Sequence, residues 1–121
     1  MPILRGDVYW VDWNPARGSE QAGVRPALVI QNDVGNRSSP TTIVAALTTQ
    51  FDRIYPFMVR LDPAESGLPR PSVVNLSHLL TISQDRLLPS RGETVLQPVG
   101  QVPSRRMFEV DRALRVSLGL R

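Results

Sequence analysis

Arg25 is the residue of this chain best placed to do chemistry, because it stands between a glycine-punctuated polar loop and an aliphatic strand. Gly18 and Gly23 let the loop turn without side-chain crowding, so its amides and short polar side chains can face an anion. Pro26 biases Arg25 toward an extended conformation and leads into the strand. We therefore expect a rigidly held guanidinium that can bind an anion or, more simply, a surface salt bridge from Arg25 to Glu20.

Thr48 and Thr49 supply the hydroxyl groups most easily combined with Arg25, because they follow the apolar run 43–47 at the end of a strand. Alternation along a strand sends their side chains to opposite faces, so one of the two hydroxyls can face a cleft. β-Propensity alone also explains a threonine at this position. The pattern predicts an arginine with one hydroxyl partner and does not choose between the two threonines.

The composition excludes most other catalytic chemistries. The 121-residue chain has no cysteine, and its 14 basic residues are all arginine, so thiolates, disulfides and lysine Schiff bases are ruled out. His78 is the only histidine and cannot by itself form a two-histidine ribonuclease site. The simpler interpretation is that His78 is a polar residue at the surface or half-buried, without a catalytic role. The 11 acidic residues are too scattered to nominate a two-metal site. We expect a reaction without metal or cofactor.

Charge and hydropathy limit the partners. The formal net charge is +3, and the planar guanidinium group of arginine binds phosphate well, so nucleic acid is a reasonable partner. A compositional bias of the source genome toward arginine explains the same composition. No apolar run reaches the roughly 18 residues that a membrane-spanning helix needs. The first residues are not a cationic segment followed by a long apolar one. We expect a cytoplasmic protein without membrane contact.

The elements that must position these residues are mainly strands. The length predicts a single domain over 1–121, and 11 prolines and 8 glycines separate short β-like segments, which favours a small barrel or curled sheet. One amphipathic helix ends the chain, beginning at Ser104 as N-cap and ending at Gly119, with its arginine-rich face in solvent. The predicted strands are residues 5–13, 24–31 and 42–49, with shorter pieces at 56–61, 72–76 and 79–82 and a turn-rich loop at 62–71.

Two motifs are specific enough to indicate a family. They are Gly18-Ser-Glu-Gln-Ala-Gly-Val-Arg-Pro-Ala-Leu-Val-Ile and Val44-Ala-Ala-Leu-Thr. With them the chain resembles the MazF/PemK toxin endoribonucleases, and the resemblance covers nearly the whole chain. Further matching segments are Arg5-Gly-Asp-Val-Tyr-Trp-Val-Asp, Pro15, Asn36, Pro40-Thr-Thr-Ile, Thr81-Ile and Arg86-Leu.

The resemblance implies both a fold and an activity. The fold is a small SH3-like or CcdB-like barrel of antiparallel strands with a C-terminal helix, assembled as a homodimer. The activity is metal-independent, sequence-selective cleavage of single-stranded RNA, without a cofactor, by a toxin that a MazE-like antitoxin neutralises. By the same resemblance Arg25 and Thr48 are the catalytic pair, and Ser19, Glu20 and Gln21 border the RNA groove.

The chain departs from its relatives at Ser77 and His78, where many of them carry a Glu-Gln pair that helps to read bases. His78 can stack on a base or donate hydrogen bonds, so we expect these two positions to influence sequence preference. Trp10 is a further candidate stacking surface, with a core aromatic as its alternative. The alternative function is a CcdB-like gyrase poison that binds protein, or a catalytically degenerate RNA-binding member of the family.

Overall fold

The computed structural model describes residues 2–13 and 23–121, which form a sheet of seven strands with helices attached. The strands are β1 (Asp7–Asp12), β2 (Val24–Val29), β3 (Thr41–Thr48), β4 (Met58–Leu61), β5 (Ser72–Ser83), β6 (Leu87–Leu88) and β7 (Gly100–Gln101). The helices are α1 (Asp33–Ser38), α2 (Pro63–Ser66) and α3 (Ser104–Leu118). A 3₁₀ turn, Gln84–Arg86, joins β5 to β6. The prediction of a mainly β chain that ends in a helix is confirmed.

The strands pair antiparallel in the order β4-β5-β3-β2-β1-β6, and β7 also pairs with β1. Within the described ranges the two ends of this order do not pair with each other, so the sheet is open. This refines the expected small barrel to an open antiparallel sheet. No helix of the described part is long and apolar enough to cross a membrane.

The two short strands predicted at 72–76 and 79–82 are one strand, β5, interrupted by a bulge. Its pairing with β3 jumps, because Ala45 lies opposite Leu79 whereas Ala46 lies opposite Asn75. The three residues between Asn75 and Leu79 therefore have no partner on β3, although Leu76 N–H donates to Phe57 O on the other side. The gap between the two predicted strands coincides with this bulge.

Two helix details also differ from the prediction. α3 begins at Ser104, but Pro103 and not Ser104 is its N-cap, because the Pro103 carbonyl accepts from both Arg106 N and Met107 N at 3.0 Å. The predicted end at Gly119 is confirmed, since this residue has a left-handed φ of 71°. α1 was not predicted; it is six residues long and is held by its N-cap, Asn32.

The sheet packs a hydrophobic cluster on each face. Val8, Leu28 and Leu47 belong to one cluster, which the α3 residues Val110 and Ala113 cover. The residues that alternate with them along the same strands, such as Tyr9, Ala27 and Ala46, form the second cluster. Because both faces are buried, strand register is strongly fixed, and the ends of β2 and β3 are held in place for the site described next.

Candidate functional site

A cleft of about 440 Å³ lies where β2 begins and β3 ends. Its walls come from the start of β2, from the end of β3 with the turn after it, from the loop after α2, and from β1. The lining residues are Trp10, Arg25, Pro26, the segment 47–50 and the segment 68–70. The cleft therefore brings together Arg25, both candidate threonines and Trp10, which the sequence places in three separate segments.

The register of the sheet explains why Arg25 and Thr48 meet. The β2–β3 ladder ends with Ala27 opposite Ala46, and the same register continued by two residues sets Arg25 opposite Thr48. Pro26 lies just beyond the ladder and has no N–H to donate to a neighbouring strand. The two residues thus share one face of the sheet at the point where the strands stop pairing.

The Arg25 side chain is half-buried, and its backbone is tied to β1. Arg25 lies opposite Val11 in the β1–β2 ladder, and its carbonyl accepts from the indole Nε1 of Trp13 at 3.3 Å. Among residues 2–13 and 23–121, no group accepts a hydrogen bond from its guanidinium or forms an ion pair with it. The expected partner, Glu20, lies outside the described residues, so the salt-bridge alternative stays a prediction.

The Thr48 hydroxyl is held by the turn that follows β3. The Gln50 N–H donates to Thr48 Oγ1 at 3.0 Å, and the hydroxyl donates in turn to Gln50 O at 3.3 Å. The first bond fixes the position of the oxygen, whereas the second is long and leaves the proton free to rotate toward a ligand. Thr49 also borders the cleft but is more exposed and has no such bond in the described structure.

Trp10 and Arg70 complete the described part of the cleft. Trp10 is half-buried at the margin of the α3-side cluster and presents one side to the cleft, so it is both a core aromatic and a cleft surface. Arg70 is exposed and was not predicted from the sequence. Its signal is the segment Pro69-Arg70-Pro71, in which two prolines restrict the backbone around a cation. The described lining thus has two cations and no carboxylate.

Ser77 and His78 are not among the described residues that line this cleft. They lie in the β5 bulge, where the Ser77 hydroxyl donates to Asn75 Oδ1 at 2.8 Å. Val73 lies opposite Thr48, and Ser77 is four residues further along β5, roughly 13 Å at the usual rise per residue. A role of Ser77 and His78 in RNA binding stays a prediction. Ser19, Glu20 and Gln21 lie outside the described residues.

One acidic group outside the cleft, that of Asp7, has a structural role. Asp7 is buried and accepts from Leu4 N, Tyr9 Oη and Gln101 Nε2 at 3.0–3.1 Å. Burial, with the neighbouring Asp7 charge, raises the pKa of the Tyr9 phenol far above its usual value, so it stays protonated. No group of three or more histidine, cysteine or acidic residues suited to a metal occurs within the described ranges.

Comparisons with known proteins identify the family of this chain. Residues 4–118 match the family described as PemK-like, MazF-like toxins of type II toxin-antitoxin systems. The chain is 45% identical over 121 residues to endoribonuclease EndoA of Bacillus subtilis, covering 99% of this chain and 97% of the relative.

Solved structures of similar proteins share the fold. An endoribonuclease in complex with its cognate antitoxin, from a mycobacterial species, superposes with a TM-score of 0.76 at 27% identity, covering 98% of this chain and 97% of the other. MazF from Deinococcus radiodurans also gives a TM-score of 0.76 at 27% identity, covering 99% of both chains.

The fold of this chain is thus that of a toxin of a type II toxin-antitoxin system. The chain belongs to the PemK-like, MazF-like toxin family. This assignment supports the main interpretation of the sequence and not the CcdB-like alternative.

Proposed function

We propose that this protein is a sequence-selective endoribonuclease that cleaves single-stranded RNA without a metal ion, as the toxin of a toxin-antitoxin pair. One observation of the structure carries the proposal: within the described residues, the unpartnered guanidinium of Arg25 shares a cleft with the Thr48 hydroxyl and with no carboxylate. Membership of the toxin family and 45% identity to an endoribonuclease support the same activity.

The proposed reaction is transesterification at a phosphodiester. The 2′-oxygen bonds to phosphorus and the bond from phosphorus to the 5′-oxygen breaks, which leaves a 2′,3′-cyclic phosphate and a 5′-hydroxyl. The proton lost by the 2′-hydroxyl is balanced by the proton gained by the leaving 5′-oxygen. Neither step requires a metal or a cofactor.

Arg25 and Thr48 act where negative charge develops. In the pentacoordinate transition state the non-bridging oxygens carry more charge than in the substrate, so donors held in place for them lower the barrier selectively. Arg25 supplies N–H donors and a positive charge, and Thr48 supplies one O–H donor. Because a guanidinium stays protonated near neutral pH, we assign Arg25 to charge stabilisation and not to proton abstraction.

The proposed partners follow from the same site. A MazE-like antitoxin with an acidic, partly disordered tail would neutralise the toxin by occupying the cleft, where it would meet Arg25 and Arg70. The mycobacterial relative of similar fold is an endoribonuclease in complex with its cognate antitoxin. We further propose that the chain forms a single domain over 1–121, assembles as a homodimer and works in the cytoplasm.

Digestion of a long transcript in EDTA tests the proposed activity. We expect a few discrete fragments whose 5′ ends are hydroxyls, so that they accept phosphate from polynucleotide kinase without prior phosphatase treatment. An Arg25→Gln preparation made in parallel controls for contaminating ribonuclease and should leave the RNA intact. Intact RNA with the wild type, or 5′-phosphate ends that require Mg²⁺, would overturn the proposal.

A further inference from the structure

We propose that Arg70 is a positioning residue that binds a phosphate of the RNA strand next to the scissile one. The inference rests on the proposed function and adds a second contact to the same cleft. Arg70 lines the cleft from the loop that follows α2, and no motif of the sequence analysis includes it.

The Arg70 side chain is available for a ligand. It is exposed, it borders the cleft, and among the described residues its guanidinium has no hydrogen bond or ion pair. By contrast, four of the other arginines each pair with a carboxylate in the described structure: Arg5, Arg60, Arg105 and Arg106. Arg70 therefore gives up no protein contact when it binds a phosphate.

The backbone that carries Arg70 is held on both sides. Leu68 is 3% exposed and Ser72 is fully buried, so the loop is anchored two residues before and two residues after Arg70. Pro69 and Pro71 restrict the residues between these anchors. A cation on such a segment loses less conformational freedom on binding than one on an open loop.

Close backbone packing fixes the start of this loop. Gly67 has φ 82°, and a Cβ at this position would lie 2.1 Å from Val99 O, so only glycine fits against the strand-like segment 99–100. A Cβ on Gly100 would likewise lie 2.4 Å from Ser66 O. Two residues before Gly67, Glu65 accepts from Arg106 Nε at 2.9 Å, which ties α2 to the start of α3.

The charge pattern indicates a polyanionic ligand. Arg25 and Arg70 line the same cleft with like charges, which repel each other, and no carboxylate among its described lining residues compensates them. A strand with several phosphates relieves this repulsion by giving each guanidinium its own anion, which a ligand with one charge cannot do. With Arg25 assigned to the scissile phosphate, Arg70 is left for a neighbouring one.

The test measures binding and cleavage separately as a function of salt. The cleaved sequence is first read from the transcript digest, and an RNA oligonucleotide with that sequence is then made with 2′-deoxyribose at the attacking position, so that it binds without being cut. Arg70→Gln removes the charge, Arg70→Lys restores it, and Arg115→Gln on α3 is the control with the same change of net charge.

We expect Arg70→Gln to bind the oligonucleotide about fivefold more weakly than wild type at 0.1 M salt. A plot of the logarithm of the association constant against the logarithm of the salt concentration should be less steep by about 0.7, the value for one phosphate contact on a single strand. Arg70→Lys should recover most of the slope, and Arg115→Gln should keep it. Single-turnover cleavage at saturating enzyme should stay within about twofold of wild type, because the scissile phosphate keeps its donors.

Two results would overturn this inference without affecting the proposed function. An unchanged salt slope for Arg70→Gln would mean that Arg70 does not contact a phosphate. A large loss of the saturated cleavage rate would mean that it acts on the scissile phosphate and not on a neighbour. A failure of the wild type to cut the transcript would instead refute the proposed function itself.

Discussion

The neighbouring threonines at the end of β3 allow a sharp test of which hydroxyl acts in the cleft. Thr48→Val replaces the hydroxyl with a methyl group of nearly the same shape, and Thr49→Val makes the same change one residue further on. Both side chains border the cleft, but the Arg25 register and the bond from Gln50 N–H single out Thr48. We expect only Thr48→Val to slow cleavage substantially.

The expected size of the effect follows from the contacts of Thr48. Loss of one preorganised donor to a transition-state oxyanion costs about 3 to 4 kcal/mol. To donate to the phosphate, Thr48 must first release its 3.3 Å bond to Gln50 O, a long, solvent-exposed bond that is worth about 0.5–1 kcal/mol. The net loss of about 2–3.5 kcal/mol corresponds to a rate reduction of about 30- to 400-fold.

Single-turnover cleavage at saturating enzyme is the appropriate assay, because it reports the chemical step and not product release. Thermal unfolding should show that both variants are folded, since Gln50 N–H is exposed and water replaces the lost acceptor at a cost below about 1 kcal/mol. The reasoning is refuted if Thr48→Val cleaves within about threefold of wild type, or if Thr49→Val is the slower variant.

Two predictions concern the elements that hold the cleft wall. Gly67→Ala should lower the unfolding free energy by about 3 kcal/mol or more, because the new Cβ would lie 2.1 Å from Val99 O. The control Gly92→Ala has a similar φ of 87° and nothing within 4 Å of the new Cβ, so it should cost only about 1 kcal/mol. Equal urea midpoints for the two variants would contradict this prediction. Burial acts to raise the pKa of Glu65, but hydrogen bonds and charge from Arg106 outweigh it, and the net pKa is lowered below 4.5. The stabilising effect of the Glu65 carboxylate is therefore fully present above pH 4.5 and is lost as the pH falls through the lowered pKa. The difference in unfolding free energy between wild type and Glu65→Gln should shrink on acidification. A difference that does not change with pH would contradict the assignment.

The sequence predicted the parts of the fold that depend on local patterning. Short apolar segments bounded by proline and glycine identified β1 to β3, and the helical spacing of Met107, Val110 and Leu114 identified α3, because a helix with one buried face repeats its apolar residues every three to four positions. α1 escaped prediction because its six residues include Gly35 and depend on the cap at Asn32 and not on periodicity.

The sequence predicted only those residues of the candidate site that a local pattern or a motif identifies. Arg25 was nominated from its position between a glycine-punctuated loop and a strand, and Thr48 was preferred to Thr49 on the family resemblance. The register of β2 and β3 explains how the two residues meet. Arg70 was missed because its position in the cleft depends on contacts far away in the chain, above all the packing of Gly67 against Val99. No periodicity or local propensity encodes such a contact.

The claim that the arginine–threonine cleft is the active site is tested most directly by the single-turnover cleavage rate of Arg25→Gln at saturating enzyme. The guanidinium has no described protein partner, so the variant should unfold at nearly the same temperature as wild type. We predict a rate at least about 100-fold below wild type, because a charged donor to the transition state is lost. A rate within about threefold of wild type, with the protein folded and the RNA bound, would contradict the claim.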